Sequence, residues 1–98
     1  MRVTRENERA IREERRVLDG VIYVYKLLLN EGVRYSTIGL PLYSIEVEME
    51  NIKDGKLTNA RAGELFSEEK KANAFFEKLV RNLATPIDLC YIVEDEFK

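Results

Sequence analysis

Between Ser67 and Leu83 the apolar positions Ala72, Phe75, Phe76, Leu79, Val80 and Leu83 recur at the three-and-four spacing that gathers side chains on one side of an α-helix. Ser67 supplies a hydroxyl for free backbone N–H groups, and Glu68 and Glu69 place carboxylates at the positive end of the helix dipole. A helix is therefore predicted from Ser67 to about Leu83, with Phe75 and Phe76 as the main anchors of the core. Thr85-Pro86-Ile87-Asp88 combines a capping hydroxyl, a proline at the first helical position and a carboxylate three residues after the cap. A second, short helix is predicted from Pro86. Its residues Ile87, Leu89, Cys90, Tyr91, Ile92 and Val93 are apolar almost all the way round, which predicts that it is wedged between a sheet and a further surface. That surface is either the N-terminal segment or a second copy of the chain.

A different period governs the middle of the chain. Across Leu42 to Glu50, Tyr43, Ile45, Val47 and Met49 alternate with Ser44, Glu46, Glu48 and Glu50, the pattern of a strand with one face in the core and one in water. Val21 to Leu29 is rich in β-branched and aromatic residues and reads as a strand in the middle of the sheet or beneath another element. Val33 to Ile38 predicts a short extended piece before the break at Gly39 and Pro41. Asp54-Gly55 is a favoured two-residue hairpin turn. Used as such, it pairs Met49 with Ala60, Val47 with Ala62 and Glu48 with Arg61; a longer loop through Ile52 would shift that register. The result is a single α+β domain over residues 19–98, with an antiparallel sheet of about three strands packed by two C-terminal helices. Its open edge is shielded by Val33 to Ile38 or pairs with a second molecule.

Residues 1–18 stand apart as a charged N-terminal helix or arm. Arg2, Arg5, Arg9, Arg12, Arg15 and Arg16 are interleaved with Glu6, Glu8, Glu13 and Glu14, and Arg9 with Glu13 and Glu8 with Arg12 sit four apart, as a solvated helix would place them. The interleaved carboxylates argue against nucleic-acid binding by these arginines, because they cancel much of the attraction to phosphate. Over the whole chain of 98 residues, 35% are charged but the net charge is only −2. No overall field draws the molecule to polyanions or acidic membranes.

Candidate chemistry is sparse. The chain contains no histidine, the usual general base and zinc nitrogen ligand, and the lone Cys90 cannot form an internal disulfide. In an apolar helix without a base nearby, Cys90 is expected to be a buried structural thiol. Val21 to Leu29 is too short to cross a bilayer and is interrupted by Lys26, and the N-terminus, with its interleaved acids and its length before the first apolar run, does not read as a secretory signal. A cytoplasmic, non-membrane location is expected.

Tyr43-Ser44-Ile45-Glu46-Val47-Glu48 and Leu83 to Asp95, with its Thr85-Pro86 start and Val93-Glu94-Asp95 end, together resemble a family of small uncharacterised bacterial proteins, a domain of unknown function found mainly in clostridial-type Firmicutes. The resemblance covers roughly Tyr23 to Phe97. It rests on a tyrosine-led strand and a C-terminal T-P-x-x-L-x-x-V-x-E-D motif. The chain departs from that pattern at Ser44, where glycine is expected, at Glu96 before Phe97, and in its arginine-rich leader. The resemblance implies a bacterial, cytoplasmic protein and brings no activity or site residues.

Glu94, Asp95 and Glu96 point in different directions on a helix and do not make a metal site. They lie near the negative end of the helix dipole and call for a cationic neighbour. Arg9, Arg12, Arg15 and Arg16 are the expected neighbours, within one chain or across a dimer. The residues together predict a non-enzymatic protein-binding or regulatory module, homodimeric and without a cofactor, that meets a protein partner through its sheet edge or charged helix. A small-molecule sensor using a tyrosine-lined sheet face is the alternative, followed by nucleic-acid binding through the N-terminal arginines.

Overall fold

The computed structural model describes residues 8–30 and 42–96. Asp19 and Gly20 both adopt positive φ, 52° and 77°, as the two-residue turn that matches the twist of paired antiparallel strands requires. The residues on either side are therefore bound to pair. Strand β1 (Glu8–Leu18) runs back along β2 (Val21–Asn30), and with β3 (Leu42–Asn51) and β4 (Leu57–Phe66) they form, among the described residues, an antiparallel sheet in the order β1-β2-β3-β4. Helices α1 (Glu69–Arg81) and α2 (Pro86–Glu96) follow.

The α+β class and the two C-terminal helices agree with the sequence reading; the N-terminal helix and the count of three strands do not. Residues 8–18 form a strand at the edge of the sheet among the described residues. An isolated helix there would bury only a thin apolar line, whereas a strand gives the second edge of β2 a full set of backbone partners. Ile11 is the extra residue of a bulge between Ala10 and Arg12, and packs against the core. The segment Val33 to Ile38 lies outside the described residues.

The β3–β4 register also differs from the two-residue prediction. Val47 faces Ala60, Ile45 faces Ala62 and Glu46 faces Arg61, two residues from the expected pairing. The loop is longer because Asn51 and Asp54 build it with their side chains: Asn51 Oδ1 accepts from the Lys53 N–H at 2.9 Å and Asp54 Oδ1 from the Lys56 N–H at 2.8 Å. Gly55 alone in this loop has positive φ, 70°. The Ile52 N–H donates to the Gly20 carbonyl at 2.9 Å, tying the two hairpin tips together.

Both helices lie on one face of the sheet, α1 mostly over β2 and α2 over β4. Beneath them Tyr25, Leu27, Leu29, Tyr43, Ile45 and Val47 meet Phe75, Phe76, Leu79, Val80 and Leu89. The predicted phenylalanine face is thus buried, Phe76 completely. Helix α1 starts one residue later than expected, with Glu68 rather than Ser67 at the N-cap and no side-chain cap bond. It ends at Arg81 by a Schellman-type closure, Ala84 N–H to Leu79 carbonyl and Leu83 N–H to Val80 carbonyl, both 3.1 Å. Leu83 takes the left-handed position at φ 50°, where glycine is commoner. The predicted capping box of α2 is present: the Asp88 N–H donates to Thr85 Oγ1 at 3.1 Å, and the Thr85 N–H donates to Asp88 Oδ2 at 3.0 Å.

Candidate partner-binding surface

The arginines of β1 divide by strand parity. Arg12, Glu14 and Arg16 sit on the helix side, opposite Leu27, Tyr25 and Tyr23; Glu13 and Arg15 sit on the open side, opposite Lys26 and Val24. Arg12 reaches over the margin of the core. Its Nη1 donates to Asn73 Oδ1 and Glu77 Oε2, both at 3.0 Å, and its guanidinium lies 4.8 Å from the centre of the Phe76 ring. Arg16 donates to Glu14 Oε1 at 3.2 Å. Arg9 and Arg15 are exposed.

The acidic residues lie elsewhere. Glu94 and Asp95 are exposed on the last turn of α2, and Glu96 ends that helix. Strand β1 forms one edge of the sheet while α2 packs over β4 at the other, so the structure does not bring Arg12 or Arg16 to the acidic end. Their partners are Glu77, Asn73 and Glu14 instead. The last turn of α2 contains no basic residue. Among the described residues no cation pairs with Glu94 or Asp95.

On the open face, charges alternate across the four strands as Glu13, Lys26, Glu46 and Arg61. Arg61 does not rely on Glu46, nor on the expected Glu48: it forms an ion pair with Glu8, joining the two outer strands. Sequence spacing does not reveal that link, because it exists only when residues 8–18 form a strand.

Helix α2 is buried on one side only. Pro86 and Leu89 are buried and Ile92 and Val93 half-buried, while Ile87 and Tyr91, one turn apart, are 66% and 69% exposed. Cys90 is exposed too, which corrects its expected burial: it projects about 100° round the helix from Leu89. It borders a groove along β4 lined by Ala62, Gly63, Leu65, Leu89 and Val93. A larger groove, about 570 Å³, lies between the end of β4 and α1, with Phe66 and Phe75 as its apolar wall and Lys71 and Lys78 at its rim.

The tyrosines are core residues first. Tyr43 is buried, and Tyr25, stacked on Tyr23 with centroids 6.4 Å apart, is fully buried and donates its hydroxyl to the Ala84 carbonyl at 2.9 Å. Burial, reinforced by Tyr23 and Asp88 and opposed by Arg16, pushes the Tyr25 phenol up to about 12.

A family of unknown function, DUF6514, matches residues 2–98. The chain belongs to this family. Neither the curated proteins nor the solved structures yield a match. Among the described residues no helix is long and apolar enough to cross a membrane, and no group of three or more Cys, Asp or Glu side chains could hold a metal ion.

Proposed function

We propose that this is a non-enzymatic protein-binding module of the bacterial cytoplasm, and that its docking surface is the outer face of α2. One observation carries the reading: Ile87 and Tyr91 form an exposed apolar ridge that continues into Glu94 and Asp95, acids without a cationic partner among the described residues. Apolar contacts supply the affinity and the acids select the partner, which presents an apolar patch flanked by lysine or arginine. Removing Ile87 from water would contribute about 1.5–3 kcal/mol. The acids at the negative end of the helix dipole gain further from a cation that no described residue provides.

The test is comparative capture from host lysate with the wild-type chain, Ile87→Ser/Tyr91→Ser and Glu94→Lys/Asp95→Lys. A partner retained by wild type and lost from both variants, with unchanged melting of the variants, supports the reading. An identical set of captured proteins from all three refutes it.

A further inference from the structure

The two edges of the sheet are built differently. Along β1, residues 12–16 are all charged, as suits an edge protected from pairing. Along β4, Leu57, Thr58, Asn59, Ala60, Ala62 and Gly63 are uncharged, Leu57 to Asn59 are exposed, and the one intervening charge, Arg61, is drawn across the open face to Glu8. Among the described residues β4 pairs only with β3.

We infer that β4 is a self-pairing edge that joins two copies of this chain into one continuous antiparallel sheet, with Ala60 on the two-fold axis. This inference is independent of the α2 reading, since it uses a different surface and a different partner. Symmetry supplies the argument. A two-fold that keeps the helices of both copies on the same side passes through a residue and sets its side chain against its own copy. On β1, an axis at any of residues 12–16 opposes like charges. On β4, it does so at Arg61 but at none of residues 57–60.

Backbone direction narrows the choice. The Asn51 N–H donates to the Lys56 carbonyl, and alternation from that pair points the N–H and C=O groups of residues 57, 59 and 61 away from β3. With the axis at Ala60, Asn59 and Arg61 exchange both backbone hydrogen bonds with Arg61 and Asn59 of the second copy. Ala60 then faces Ala60 in the close, non-hydrogen-bonded arrangement, about 4.5 Å between Cα atoms. Two methyl groups fit there easily. Thr58 falls opposite Ala62 and Leu57 opposite Gly63, so no like charges meet. An axis at Asn59 or Thr58 shortens the paired stretch, and one at Ala62 moves the β4 irregularity between residues 62 and 66 from the end of the interface to its centre.

Sedimentation equilibrium of the full chain over a concentration series, with two further proteins, tests the inference. Wild type is expected to show a monomer–dimer equilibrium. Asn59→Lys, which places a lysine opposite Arg61 twice per dimer, is expected to raise the dimer Kd about 2- to 30-fold. Arg15→Glu on the opposite edge leaves it unchanged. Ala60→Cys in a Cys90→Ser background is expected to oxidise to a covalent dimer, because the Cα spacing suits a disulfide. A wild-type chain that stays monomeric at the highest concentration overturns the inference, as does a dimer indifferent to Asn59→Lys or one that Ala60→Cys fails to cross-link.

Discussion

Replacing Tyr25 with phenylalanine removes one oxygen atom, yet its effect should depend on pH in a direction set by burial. Near neutrality, Tyr25→Phe loses the hydrogen bond to the Ala84 carbonyl and leaves that acceptor, at the junction of α1 and α2, without its phenolic donor. The cost is about 1–3 kcal/mol. At alkaline pH the wild type also weakens. The phenol titrates near 10 in the unfolded chain but is pushed up to about 12 in the fold, so the native state resists losing this proton. Its contribution is whole below pH 10 and disappears as pH rises through 12. It amounts to about 3 kcal/mol in all, of which about 1 kcal/mol is gone by pH 11. Phenylalanine has no such dependence, and lysine titration is shared by both proteins. Urea unfolding of wild type and Tyr25→Phe at pH 8, 10 and 11 therefore measures the difference directly. The gap should narrow as pH rises. A gap that stays constant from pH 8 to 11 would refute the burial argument for this phenol.

Three other substitutions probe separate parts of the fold. Phe76→Ala, at a fully buried position, should cost about 3–5 kcal/mol, measured as a lower urea midpoint or as outright unfolding by circular dichroism. Thr85→Ala removes the acceptor for the Asp88 N–H and should cost about 1 kcal/mol, seen as a modest fall in Tm. Arg12→Ala should cost about 1–2 kcal/mol through the lost Asn73 hydrogen bond and the contact with Phe76. Because the Glu77 carboxylate is 58% exposed, its ion pair contributes little, and most of the Arg12→Ala loss should persist in concentrated salt.

What could be read from the chain follows from which residues carry the signal. The α1 stripe, the Thr85–Asp88 box and the β3 alternation are apolar or capping patterns, and each appears in the structure at or within a residue or two of its expected place. Strand β1 has no comparable pattern. Its arginines and glutamates suit a helix by their spacing and a strand by their alternation, so the decision fell to Asp19-Gly20, a hairpin signal that reads as simple punctuation unless its consequence for the preceding residues is followed through. The β3–β4 register failed for another reason. A slip of two residues leaves every side chain on the same face, so burial of Ala60 and Ala62 is equally satisfied by either pairing. Only the side-chain bonds of Asn51 and Asp54 decide between them, and the Asp54-Gly55 dipeptide alone resembles the true two-residue turn at Asp19-Gly20. The sequence does not place Cys90, because a helix apolar on every side gives no indication of which side meets the sheet.

The same strand parity explains why an arginine-rich segment need not be a binding arm. On the helix side of β1, beyond the cover of α1, a large apolar residue would be left partly wet. Arg12 solves this by laying its guanidinium on Phe76 while reaching the exposed Glu77, so the side chain ends the core and meets solvent at once. Glu14 and Arg16 continue that border along the strand. On the open side, Glu13 and Arg15 face solvent and guard the edge against added strands. The charges of β1 thus seal one margin of the sheet and discourage pairing there, while β4 lacks such protection along its first four residues. A two-fold axis at any of residues 12–16 would set like charges face to face, so this asymmetric distribution disfavours such a contact along the middle of β1 and raises no such obstacle along residues 57–60 of β4.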